Sequence, residues 1–486
     1  MFRQAWTKAR VHAGVWLFLG AFVVRLAIAI PFINYPIALD DMLQYDMLAR
    51  SLIAGNGYRW YSQADLQANR PYLEQVLDYS VIHVPREGVQ TTFRPPGYPF
   101  FLAGLYAVLP FETRWVYTRI AQCVLGASLA LIAVKLGMRL GVKRRAAWLA
   151  GGVVAFYPIL QMYPIALASE NLFIPLVGLS ILAVYWSTEN ASLGRAAVAG
   201  GLLGLAILTR SVITPFSLVA GAWLARFSPL RWRAALIFLA AAFGVCLPWA
   251  VRNTLVSGRP AFIETSLSYQ MYIGYHPEGD GGFETDIAIR PLKFVDDAQR
   301  DAHCRAAVID FIKADPLGAL GRVIKRGAFF FGAEDRELIY FYTNGFFGAI
   351  AQPWLTVIYL ALVLPWMGLC GFAVLGWLIS AHSRTAWLLV GFTLAYILPH
   401  LAIIAEPRFH LTLVPILAPL AAAGWFGRRD ALARLLHAPR GFDLARWSAL
   451  AALACLVVYW VWGFWLRWGA LVAVLSPGGD ALRQVY

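Results

Sequence analysis

Cysteine is scarce, with five in 486 residues, and four of them, Cys123, Cys246, Cys370 and Cys455, fall inside apolar runs. Only Cys304 stands in a polar loop, so no disulfide framework is expected. CxxC and His-x-x-x-His spacings are absent, which argues against a structural zinc site. Charge is also scarce: 14% of residues are charged, and acidic residues number 27 against 41 basic. No solenoid repeat or low-complexity tract is present. After Arg3, Lys8 and Arg10 the first apolar stretch runs to Ile33 without a small-residue cleavage site, so it is expected to remain as a span. What the chain has in excess is apolar residues. They make up 60%, against about 45–50% in ordinary globular proteins. Mean hydropathy is +0.61. A soluble fold cannot hide that much apolar surface. Disorder, collagen and a secreted disulfide scaffold are excluded, and a polytopic membrane protein is predicted.

The net charge of +14 comes from short basic clusters between apolar runs. Such clusters mark cytoplasmic loops rather than a nucleic-acid surface. A span needs about 20 apolar residues. The pattern predicts spans over 13–33, 116–140, 146–163, 171–186, 196–209, 215–225, 234–250, 353–379, 387–404, 411–425 and 447–471. The two short Gly-rich ones, 196–209 and 215–225, read as a tightly packed hairpin. Threading all of them places Lys143, Arg144, Arg145, Arg226, Arg231, Arg428 and Arg429 on the inner side. The two long polar loops, 34–113 and 252–345, then share the outer side. The expected fold is a single membrane-embedded domain over 1–486, all-α, with about eleven transmembrane helices. The N-terminus is expected inside and the C-terminus outside.

Both loops contain helical patterns. Over 42–53, Tyr45, Leu48, Ala49 and Leu52 form an apolar stripe, with Asp46 and Arg50 on the polar face, so an interfacial helix is expected. Pro99–Leu109 is about half a bilayer long and reads as a horizontal or re-entrant helix. Ala298, Ala302, Ile309 and Ile312 form a similar stripe in the second loop.

Three constellations can carry chemistry. Asp40-Asp41 stands where the chain leaves the first span and opens a helix, either as an N-cap or as catalytic carboxylates. Arg94-Pro95-Pro96-Gly97-Tyr98-Pro99 fixes Arg94 at the interface, for lipid headgroups or for substrate. Glu170, Arg210, Arg252, Glu406 and Arg408 sit at outer span ends. The positive-inside rule leaves the outer bases unexplained, and a phosphate at that surface would explain them. His410, beside Arg408, joins the candidates for substrate contact.

These residues, in this order, resemble the GT-C membrane glycosyltransferases, in particular the bacterial members related to protein O-mannosyltransferases and to the lipid A aminoarabinose and galacturonic acid transferases. The residues that carry the resemblance are Asp41 four before Tyr45, Gly55-Asn56-Gly57-Tyr58, Arg94–Pro99, Ser169-Glu170, Thr209-Arg210, Trp249–Asn253 and Arg408-Phe409-His410 leading into Leu413-Val414-Pro415. The resemblance spans essentially the whole chain. It implies sugar transfer from a polyprenyl-phosphate donor at the periplasmic face of a bacterial inner membrane, in lipopolysaccharide or other cell-envelope glycan synthesis. The acceptor would be lipid A, another glycan, a lipid or a protein, with membrane lipids as further partners and no nucleic acid. Asp41, with Asp40 as the alternative, is implied as general base. Arg210, Arg408, Arg94 and Lys325 would hold the donor phosphate. Tyr45, Glu170, Arg252 and His410 would contact substrate. Direct displacement would invert the anomeric centre. Some relatives have an acidic residue where this chain has Arg94. No metal site is therefore assigned and no cofactor is required, although a divalent ion with Glu170 as substitute ligand is compatible with the sequence. Two other readings compete: a lipid or sugar transporter, which wants charges in mid-span along a path, and a polymerase or ligase using a diphosphate-linked donor.

Overall fold

The computed structural model describes residues 2–37, 41–73, 84–332, 338, 350–437 and 442–475. Asp40 and most of the end of the second loop lie outside them. The protein is an all-α polytopic membrane protein. Among the described residues seven helices are long and apolar enough to cross a bilayer, or eight when Arg144–Ala155 and Pro158–Ile165, bent by 55° at their junction, count as one span. The helices Glu170–Trp186, Leu193–Thr209 and Ser211–Phe227 are apolar but shorter. A helix is thus found at each expected span.

The bend falls at a proline. Pro158 opens the second helix at its first position, where a missing N–H costs nothing, and Phe156 ends the preceding one. The side chain of Arg25, fully buried in the first span, donates to the carbonyls of Val154 and Ala155 at 3.2 Å each and to Ala21 at 3.0 Å. An in-span charge thereby satisfies the carbonyls freed at a broken helix. It does not line a transport path.

Backbone contact explains the small residues. A Cβ at Gly200 would meet the Phe238 carbonyl oxygen at 2.1 Å, and one at Gly204 would meet that of Ala242 at 2.6 Å. The Leu193–Thr209 helix therefore packs on Arg231–Ser257, and the expected hairpin with 216–227 is not what these glycines serve.

The two long loops interlock on one side of the helix array. Asp297 accepts from the Thr91 hydroxyl at 2.7 Å and the Thr92 backbone N–H at 2.6 Å, and the Thr265 N–H donates to the Thr92 carbonyl at 2.9 Å. The first loop holds the helices Asp41–Ile53, Gln63–Ala68 and Gly97–Val108 and a two-stranded antiparallel ribbon, Arg59–Trp60 with Val89–Gln90. Two expectations are corrected here. Asp46 is not on a solvent face. It is 2% exposed and accepts from Arg50, Tyr106, Arg114 and Trp115, because the Gly97–Val108 helix and the start of the next span cover that face. In the helix Asp297–Ala314 the buried face is Asp297, Arg300, Asp301, Cys304 and Val308, while Ala302 and Ile309 point outward. Ion pairs of Asp297 with Arg300 and of Asp301 with Arg259 outweigh the apolar stripe, since that face packs on the Ser266–Tyr275 helix and, through Asp297, on the first loop.

Candidate active site

Asp41 is the first residue of the Asp41–Ile53 helix, whose free N–H groups favour a negative charge there. Its side chain is 35% exposed. One carboxylate oxygen pairs with Arg94, and the other lies 3.8 Å from Arg408. The Arg94 Nε also donates to Gln44 Oε1 at 2.7 Å. Gln44 is one helical turn beyond Asp41, so one helix presents both acceptors to one guanidinium.

The proline pair explains why Arg94 is fixed. The Tyr58 hydroxyl contacts the carbonyls of Arg94 and Pro95, each at 3.0 Å. A Cβ at Gly97 would lie 2.5 Å from Thr209 Oγ1 and 2.9 Å from the Leu208 carbonyl oxygen. Only glycine lets the Arg94 segment approach the end of the helix that delivers Arg210.

Arg210 caps the C-terminus of Leu193–Thr209. Its Nη1 lies 2.6 Å from Glu170 Oε1, a charge contact, and donates to Ser169 Oγ at 3.2 Å. The Tyr45 hydroxyl reaches the same Ser169 oxygen at 3.4 Å. Arg408 Nε lies 2.8 Å from Glu406 Oε2. The Phe409 ring lies under Arg210, 5.2 Å from its guanidinium carbon, and the Tyr396 hydroxyl holds the Phe409 carbonyl at 3.1 Å.

Three guanidinium groups and three carboxylates, from segments far apart in the chain, thus converge on the loop side. Of the residues singled out in the sequence, Asp41, Tyr45, Arg94, Glu170, Arg210 and Arg408 are brought together. Arg252, Lys325 and His410 are not. Arg252 donates to the carbonyls of Thr91 and Tyr58 and so braces the first loop against the Arg231–Ser257 helix. Lys325 has Asp280 at 3.9 Å in the second loop. His410 is fully buried, contacts the Phe330 carbonyl through Nδ1 at 2.9 Å and stacks on Trp366 at 3.8 Å. Gln44 and Ser169 had no candidate role of their own. Gln44 was legible only as the helical neighbour of Asp41, and Ser169 only as part of Ser169-Glu170. Among the described residues no three His, Cys, Asp or Glu side chains converge, and Asp41 and Glu170 each face a guanidinium. Among the described residues, which leave out Asp40, no set of divalent-cation ligands is gathered here.

Burial pushes the Asp41 carboxyl up, but Arg94, Arg408 and Arg210 outweigh it and hold the group below the usual carboxylate range. A depressed folded-state value adds stability above the unfolded value, and that contribution is lost as pH falls through the folded value. Arg94 is the strongest opposing charge. Arg94→Gln should therefore raise the pH at which Asp41 takes up a proton, seen as the protonated carboxyl stretch in infrared titration. The wild-type stretch should appear only below the usual carboxylate range. Identical titrations would show that Arg94 does not set the ionisation of Asp41.

No protein-family model matches the chain, and no curated protein matches it. Among solved structures, the crystal structure of ArnT from Cupriavidus metallidurans bound to undecaprenyl phosphate aligns with 96% of this chain and 75% of that chain, at 15% identity and a TM-score of 0.47. A likeness of that size places no constraint on what this chain binds.

Proposed function

We propose that this protein is a GT-C type glycosyltransferase that moves a sugar from a polyprenyl-phosphate carrier to an acceptor hydroxyl. In this reading it works at the periplasmic face of a bacterial inner membrane, in cell-envelope glycan synthesis. The observation that carries the reading is the convergence of the partly exposed Asp41 carboxylate with Arg94, Arg210 and Arg408.

The chemistry follows from these groups. The acceptor oxygen attacks the anomeric carbon from the face opposite the phosphate. The bond from that carbon to the phosphate oxygen breaks, and polyprenyl phosphate leaves with the electron pair. The acceptor proton goes to Asp41, whose negative charge also stabilises an oxocarbenium-like transition state. The product has the inverted configuration. The donor is a phosphodiester with one negative charge, and the leaving phosphomonoester carries two. Protonation of Asp41 removes one negative charge as the phosphate gains one, so the local charge is unchanged across the step. Arg210 and Arg408 supply charge-assisted hydrogen bonds to the phosphate oxygens. Glu170 and Glu406 hold those two guanidinium groups in place.

The test is transfer by the purified protein in lipid nanodiscs, with polyprenyl-phosphate hexoses as donors and envelope glycan fragments as acceptors. Proton NMR of the product should show anomeric inversion. Retained configuration would remove Asp41 as a direct base.

A further inference from the structure

Gln44 gives one half of its amide to the site and leaves the other half unused. Its Oε1 accepts from the Arg94 Nε at 2.7 Å, and the Arg94 Nη2 pairs with Asp41 Oδ1. Nε–H and Nη2–H leave one edge of a planar guanidinium side by side, so the two oxygens they hold are neighbours. Arg94 has little freedom of its own. Its guanidinium carbon lies 5.3 Å from the Phe93 ring centre and 5.6 Å from that of Tyr45, and the Tyr58 hydroxyl holds the Arg94 carbonyl.

The guanidinium has donors and no acceptor, so only the oxygen of the amide can face it. That fixes which way round the amide stands. The Gln44 Nε2 is turned away from Arg94 and carries two N–H groups. Among the described residues no acceptor takes either of them. Gln44 and Asp41 are both partly exposed. Two idle donors therefore stand one helical turn from the proposed base, on the same face of the Asp41–Ile53 helix. Holding Arg94 does not call for them. A glutamate at this place would hold a guanidinium more strongly, through a charge-assisted bond, yet the chain has a glutamine.

We infer that Gln44 contacts the acceptor, donating from Nε2 to an oxygen on the carbon next to the reacting hydroxyl. This rests on the transferase reading. Asp41 accepts from the attacking hydroxyl, and Gln44 offers the opposite polarity beside it. Oxygens on adjacent carbons match that pair, one giving its proton to the carboxylate and the other taking an N–H. A sugar ring carries oxygens in that arrangement. A serine, threonine or tyrosine hydroxyl has no oxygen on the adjoining carbon. The acceptor class is therefore carbohydrate, not protein.

The test measures transfer by the protein in nanodiscs from polyprenyl-phosphate glucose, mannose and galactose, with 2-methoxyethanol, 1-butanol or water as acceptor. The two alcohols have the same length and differ by an ether oxygen in place of a methylene, and an ether oxygen can only accept. Wild type should prefer 2-methoxyethanol by about tenfold in kcat/KM, the upper range of one hydrogen bond. Gln44→Glu keeps an oxygen for Arg94 and removes both donors, so it should abolish the preference. Any change it makes to the basicity of Asp41 acts on both alcohols alike, so the ratio reads the contact. Equal rates for the two alcohols in wild type would overturn the contact. A preference that Gln44→Glu keeps and Gln44→Met loses would overturn it too, and would leave Gln44 as a holder of Arg94. Release of hexose to water gauges the donor chemistry separately. Hexose released to water by a wild type that treats both alcohols alike would sink the contact and spare the transferase reading. No release from any of the three donors to any acceptor would sink the transferase reading, and the contact with it.

Discussion

Asp41→Asn is expected to cut turnover by about a hundredfold or more, the ordinary worth of a general base. Affinity for polyprenyl phosphate should not fall. Asparagine keeps the shape of the side chain and removes a negative charge facing Arg94 and Arg408, so those guanidinium groups become freer to take an anion. The two quantities are measured separately, as single-turnover rate and equilibrium binding of labelled polyprenyl phosphate. Loss of both together would point to a structural role for Asp41. Full turnover in Asp41→Asn with loss in Asp40→Asn would move the base one residue back along the chain.

Arg210→Ala is expected to do two kinds of damage. Glu170 is 5% exposed and pairs with Arg210. Removing one member of a buried pair leaves the other charge stranded, at a cost of about 3–5 kcal/mol. The melting temperature should fall and donor binding should weaken. The double substitution Arg210→Gln with Glu170→Gln removes both charges, so it should recover most of the stability. It should not recover donor binding if Arg210 grips phosphate. Recovery of both would assign the pair to the fold alone.

Span positions were legible because a bilayer sets a length and because Lys and Arg mark one side. The bend after Phe156 was not, since Pro158 marks it no differently from Pro175 or Pro248, which sit inside helices that continue. The Gly200 and Gly204 contacts read correctly as close helix packing, but the partner helix did not. Glycine shows that a backbone comes near and says nothing about which one. Asp46 was misplaced because helical spacing separates two faces without revealing that a second helix covers the polar one. In the site, Asp41, Arg210 and Arg408 stood out because charge at a loop-side span end lacks a topological reason. Arg252 stood out on the same ground, yet its donors go to loop carbonyls. A long cationic side chain serves a ligand or a stray carbonyl equally well, and only geometry separates the two.

The most direct measurement is an experimental structure of the protein in nanodiscs with polyprenyl phosphate bound. The phosphate should sit within hydrogen-bond distance of both Arg210 and Arg408, with the Asp41 carboxylate beside it. A phosphate held elsewhere, with Arg210 still closed on Glu170 and Arg408 on Glu406, would contradict the account.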